Sequence, residues 1–284
     1  MAVGGFNCPW CRYYNAVNER RCGRCDKWLP PRAIAPLVAR LRAEELWATK
    51  LLAGICVLAY ALEMAASGGK LALFSGMKVS TLLRFGAVSN GLEHGEPWRL
   101  LAACFLHMGI LHIVMNLVGL ADLGRLGEPM VGGPRFLLTF VVTGILGFLT
   151  SAWWYGTDPY ITAGASGAVF GIDGMILGDM MARKDPRWRG MLGRTVIYSF
   201  VFYFAMRTNQ AAHLGGLVVG IVMGVLFRFE SRPWKIAWLV TSLTALSIVA
   251  IVVSLVLPHF SPVWRVVEEM ERQRDELRQA PDDS

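Results

Sequence analysis

Gly164-Ala165-Ser166-Gly167 is the stretch on which the reading of this chain turns. It stands where a short polar loop, 157–162, gives way to an apolar run that reaches Met181. A serine between glycines at a helix start has two readings. It is an N-cap whose hydroxyl accepts a free backbone N–H, or it is an exposed nucleophile. The choice depends on what the rest of the chain brings to it.

Moving outward, the surroundings are too apolar for an ordinary soluble domain. Of 284 residues 54% are hydrophobic, and the mean hydropathy is +0.43. The apolar residues fall into blocks of roughly 15 to 25 separated by charged or Gly/Pro-rich breaks, as in bilayer-spanning helices. Seven blocks predict an all-α polytopic membrane protein, with spans over 46–66, 98–123, 136–154, 166–181, 195–206, 211–229 and 234–257. Glu63 falls near the far end of the first, within reach of the interface. No run in 67–97 is long enough to cross, and 124–134 reads as a break. The third span closes on an interfacial belt of Trp153, Trp154 and Tyr155. The fifth would cover only about 20 Å, so Arg194 and Arg207 must snorkel or the bilayer must thin.

The net charge of +7 is not gathered on one face, so no nucleic acid is expected at the membrane domain. It alternates. Segments 1–46, 124–135, 183–194 and 228–235 are rich in Arg and Lys and share one side. The opposite side takes 67–97, 156–162, 207–210 and a tail with four arginines against seven Asp and Glu. The positive-inside rule then places the N-terminus in the cytosol and the C-terminus across the membrane. No cleavable signal peptide is visible, since the first apolar run begins near Leu46.

Residues 1–28 carry Cys8-Pro9-Trp10-Cys11 and Cys22-Gly23-Arg24-Cys25. Two such knuckles ten residues apart predict a structural zinc held by Cys8, Cys11, Cys22 and Cys25. Two disulfides are the alternative, which a cytosolic placement disfavours. With Phe6 and Asn15 the segment resembles the small RanBP2-like zinc ribbons, which implies a cytosolic protein or RNA partner. Cys56 and Cys104, alone inside apolar runs, read as buried thiols. The predicted organisation is a ribbon (1–28), a basic juxtamembrane linker (29–46), a membrane domain (47–258) and a charged tail (259–284) whose segment 263–279 can form a surface helix.

Polar residues inside spans are expensive and usually functional. The second span holds His107, His112 and Asn116, the last two one helical turn apart; the fourth opens with Ser166 and the sixth with His213. Singly, each is readable as a helix cap or an interhelical hydrogen-bonder. Together, Ser166 and His213 start spans entering from the same non-cytosolic face. His112 and Asn116 would sit level with them or deeper, depending on how far Trp98 projects. Gly167, Gly171, Gly174 and Gly178 in the fourth span, and Gly216, Gly220 and Gly224 in the sixth, recur at four-residue spacing that lets backbones approach.

The set Trp98-Arg99, His107, His112-x-x-x-Asn116, Gly164-Ala165-Ser166-Gly167 and Ala212-His213-x-x-Gly216-x-x-x-Gly220 closely resembles the rhomboid intramembrane serine proteases over about residues 47–230. The resemblance implies a six-helix core, here with a seventh C-terminal span, in a bacterial inner membrane. It implies Ser166 as nucleophile, His213 as general base, and His112 and Asn116 with the Ser166 N–H as oxyanion donors. Trp98-Arg99 would be structural and membrane-seating, with no catalytic cofactor, and the substrate a transmembrane protein segment in the lipid bilayer. The aromatic fifth span would be the lateral gate. Asp173, where the family usually has an apolar residue, reads as bonding a neighbouring span; Phe170 would pack on the His213 ring. A non-proteolytic rhomboid-like scaffold or chaperone would be expected to lack Ser166 or His213. A transporter would be expected to show a repeat between halves, and none is seen.

Overall fold

The computed structural model describes residues 6–8, 13–16, 19–31, 46–68, 76–89, 91, 95–156, 160–206, 208–229 and 237–279. Two short strands, β1 (Phe6–Asn7) and β2 (Tyr14–Asn15), pair antiparallel in the N-terminal segment. The first long helix, α1 (Trp47–Ala66), starts after Leu46 in a left-handed conformation with no side-chain cap of its own. Its free N-terminal donors are met from another helix. Glu128 accepts from the backbone N–H of Ala48 at 2.9 Å and of Thr49 at 2.8 Å, and from the Thr49 hydroxyl at 2.6 Å. A carboxylate at a helix N-terminus satisfies orphan donors and favours the dipole.

That arrangement requires 124–131 to be helical, and it is. The segment expected as a break is the last part of α4 (Ile110–Val131), which runs through Pro129; the break is only Gly132, before α5 (Gly133–Tyr155). The near end of this span is corrected too. Trp98-Arg99 does not open it: α3 (Arg99–Ala102) and a 3-10 turn (Ala103–Phe105) are followed by an extended Leu106, and α4 begins only after Gly109. His112 and Asn116 are therefore the third and seventh residues of their helix, not deep within it.

Between α1 and α3 lie α2 (Val79–Phe85) and β3 (Val88–Ser89). β3 pairs antiparallel with β4 (Ile161–Thr162), fixing the loop that leads into α6 (Ser166–Ala182). Arg99, fully buried, ties this region together: its guanidinium donates to Glu96 at 2.6 Å and to the carbonyls of Leu83 at 2.7 Å and Ala87 at 3.3 Å.

α6 is buried on every side, as a helix apolar all round must be. α7 (Trp188–Met206) is 19 residues long, about 28 Å, and starts before the apolar run expected from Thr195, so Arg194 lies within the helix. Arg207 lies outside the described residues. Then come α8 (Gln210–Phe229), α9 (Ala237–Val256) and α10 (Val263–Gln279). Among the described residues five helical stretches are long and apolar enough to cross a membrane: α1, α4, α5, α8 and 238–260. The protein is an integral multi-pass membrane protein.

Glu63 is a further correction. It is fully buried rather than at the interface. The tail, by contrast, forms the expected helix and lies against α2. Glu271 of α10 accepts from the N–H of Val79 at 3.1 Å, the N–H of Ser80 at 3.4 Å and the Ser80 hydroxyl at 2.5 Å. The Arg84 guanidinium sits 4.9 Å from the centre of the Trp264 ring.

Candidate active site

α6 and α8 meet backbone to backbone. A Cβ on Gly216 would stand 2.0 Å from the carbonyl oxygen of Gly167, one on Gly220 1.9 Å from that of Gly171, and one on Gly224 2.0 Å from that of Met175. Only glycine permits this approach, and the approach sets the distance between the two helix starts. His213 lies in the first turn of α8, Ser166 at the first position of α6. Ser166 Oγ and His213 Nε2 are 2.8 Å apart. Ser166 is not the helix cap: Ala165 occupies that position and makes no side-chain capping bond.

The His213 ring is held by packing. Phe170, one turn below Ser166, stacks on it with centroids 4.3 Å apart and planes 11° from parallel, as the sequence suggested. His213 Nδ1 is buried with no hydrogen-bond partner among the described residues. α8 is capped by Asn209, whose Oδ1 accepts from the N–H of Ala212 at 3.0 Å, while its Nδ2 donates to Ser151 at 2.6 Å and Thr162 at 3.2 Å. Asn209 was missed in the sequence, although an Asn immediately before an apolar helix is a cap signal.

His112 closes the site from α4. Its ring covers Gly164: a Cβ there would be 2.7 Å from His112 Cε1 and 3.7 Å from Ser166 Oγ. Gly164 has φ +144°, and its N–H donates to the Ala103 carbonyl at 2.8 Å, so the approach to Ser166 is pinned to the turn after α3. Asn116 Nδ2 donates to the His112 carbonyl at 2.8 Å, within its own helix. His107, fully buried, lies edge-on to the His112 ring with centroids 5.2 Å apart. Asp173 accepts from the Thr195 hydroxyl of α7.

Two cavities meet at this point. One of about 360 Å³ is lined by Ser166, His112, Met108, Gly76, Thr208 and Asn209. The other, about 240 Å³, runs between α4, α6 and α7 past Asn116, Phe170, Asp173, Arg194, Tyr198 and Phe202. Ser166 and His112 border both.

A second cluster lies in the N-terminal segment. The sulfurs of Cys8, Cys22 and Cys25 lie within 4.8 Å of one another, with Cys8 and Cys25 at 3.7 Å; Cys11 lies outside the described residues. Sulfurs on tetrahedral zinc stand about 3.8 Å apart, given Zn–S bonds of about 2.3 Å. The Arg24 N–H donates to Cys22 Sγ at 3.4 Å, a bond that favours a thiolate. Asn15 accepts from the Gly23 N–H at 3.1 Å, bracing the second knuckle. The donor set fits zinc. Cys56 and Cys104 are buried and apart from this cluster.

Known proteins are similar over the same region. The Rhomboid domain model matches residues 94–230. The rhomboid protease GluP of Bacillus subtilis is 38% identical over 146 residues, 49% of this chain and 28% of that protein. RHOMBOID-like protein 5 of Arabidopsis thaliana is 29% identical over 155 residues, 52% of this chain and 50% of that protein. The putative rhomboid protease YdcA of Bacillus subtilis is 32% identical over 145 residues, 48% of this chain and 70% of that protein. The chain belongs to the rhomboid family. It spans half or less of the first two of these relatives, GluP and RHOMBOID-like protein 5. Ser166, His112, Asn116 and His213 all lie inside the matched rhomboid region, whereas the cysteine cluster and α10 lie outside it.

Proposed function

We propose that this rhomboid is an intramembrane serine protease that cleaves transmembrane segments of membrane proteins through a Ser166–His213 dyad. The observation that carries the reading is the 2.8 Å contact between Ser166 Oγ and His213 Nε2 across two helices that only glycines allow so close. A serine hydroxyl is a weak nucleophile until a base takes its proton. With the ring proton on Nδ1, His213 Nε2 accepts that proton as Oγ attacks the scissile carbonyl, then delivers it to the leaving amine. Water, deprotonated by the same nitrogen, releases the acyl group. Developing negative charge falls at the N-terminus of α6, where free N–H groups point outward. His112 donates from the facing helix. Asn116 joins by turning its amide from the His112 carbonyl toward the cavity.

The 360 Å³ cavity supplies water, and the cleft between α4 and α7 is the lateral entry for a substrate helix. A peptide bond shielded in its helix must unwind to reach Ser166. The decisive experiment incubates purified protein with a model transmembrane substrate beside Ser166→Ala and His213→Ala. Cleavage by the parent and by neither variant is expected. Cleavage surviving Ser166→Ala refutes the dyad.

The N-terminal segment, in this reading, is a zinc ribbon using Cys8, Cys11, Cys22 and Cys25, with zinc supplying a structural cross-link and no step of catalysis. It offers a surface to a cytosolic partner. The membrane domain has seven spans, N-terminus in the cytosol of a bacterial cell and C-terminus across the inner membrane. Supporting this, α10 touches α2, and both belong to segments that charge alternation puts on one side. Likewise Lys27 of the ribbon donates to the Phe227 carbonyl at 3.4 Å, at the opposite end of α8 from His213.

A further inference from the structure

The dyad accounts for Ser166, His213 and His112 but leaves a buried carboxyl in α1 unexplained. Glu63 is fully shielded and has no basic partner among the described residues. Burying such a group is costly unless it is hydrogen-bonded. Its Oε2 accepts from the backbone N–H of His107 at 3.3 Å. His107 lies in the extended connector that feeds α4, and its Nδ1 is 3.2 Å from the Phe105 carbonyl. A carbonyl only accepts, so Nδ1 carries the proton and the ring orientation is fixed. That ring meets His112 edge-on at 5.2 Å. A contiguous line of contacts thus runs from α1 to the ring that covers Gly164, two residues before Ser166.

We propose that Glu63 is a positioning residue for His112, acting through His107; the inference rests on the proteolytic reading above. The carboxyl holds the connector from behind, so that the His107 ring stands as a fixed wall against His112. Glu63 Oε1, the Tyr60 and Ser67 hydroxyls and His107 Nε2 are all buried without a protein partner among the described residues. Tyr60, Glu63 and Ser67, the last at the C-terminal cap of α1, fall on one face by their three- and four-residue spacing.

Glu63→Gln keeps an oxygen that accepts the His107 N–H; Glu63→Ala removes it. In the full chain in detergent, kcat for the transmembrane substrate is expected to fall about tenfold in Glu63→Ala, with KM within about twofold. Glu63→Gln should recover most of the loss. Independently of turnover, ¹⁵N-histidine spectra, assigned with His107→Gln and His112→Gln, should show the His112 ring signals displaced in Glu63→Ala and unmoved in Glu63→Gln. A lowered melting temperature with unchanged kcat and unchanged His112 signals overturns the proposal, as does equal damage from both substitutions. If the parent itself does not cleave, the proteolytic reading fails, and the His112 signals alone still decide whether Glu63 positions that ring.

Discussion

His213 stacks on an aromatic neighbour where soluble serine proteases place a carboxylate. The Phe170 stack fixes the plane of the imidazole but contributes no charge, and His213 Nδ1 meets no acid among the described residues. Three substitutions grade the roles. Ser166→Ala should lower kcat by about 10⁴-fold or more. His112→Ala should cost about 10²- to 10³-fold, the usual loss of one oxyanion donor. Phe170→Ala should leave both reacting atoms in place yet reduce turnover, measured with the same transmembrane substrate, because the ring is then free to tilt. At this scale much was readable in the sequence. Ser166, His213 and His112 announced themselves as polar residues in apolar runs. Glu63 did not, because its position near a helix end gave a sufficient interfacial explanation; only the fold of the connector over it shows that it is buried.

The helices that carry these residues differ in what spacing reveals. The glycine series on α6 and α8 is visible as a repeat, and the structure turns it into distances: no atom fits between Gly216 and the Gly167 carbonyl. Gly216→Val should destabilise the protein by about 3 kcal/mol or more, since backbone cannot move aside as a side chain can. Gly54→Ala is the control: in α1, with nothing near its added methyl, it should be neutral or gain up to about 1 kcal/mol in thermal unfolding. The start of α4 was harder to read. Hydropathy continues from Trp98 without interruption, and nothing in apolarity distinguishes a short helix plus a turn from the opening of a span. Likewise Pro129 and the glycines around it look like a loop, but Glu128 needs a helical frame to reach α1. Both errors have one cause: a bilayer-scale pattern records which residues are greasy, not where the backbone turns.

Across the whole molecule, the N-terminal cysteine segment and the C-terminal helix α10 each contact the bundle. Glu271 clamps α2 on one side, and Lys27 reaches α8 on the other. Glu271→Ala should cost about 1 kcal/mol, as loss of a helix cap does, read as a lower melting temperature. If the proposed zinc is there, stripping the cysteine cluster with a chelator should release one per chain and leave cleavage largely intact, because Lys27 beside that cluster reaches the end of α8 opposite His213. A cut that stops when zinc is removed contradicts that separation. The seam between α6 and α8 carries a last consequence. Where Gly216, Gly220 and Gly224 meet the carbonyls of α6 it has no rotamers to repack and no slack for lipids to exploit. Stretching or compressing the bilayer should therefore leave the serine and imidazole in register, and any dependence of rate on acyl-chain length should appear in how substrate enters past α7, as a changed KM at nearly constant kcat.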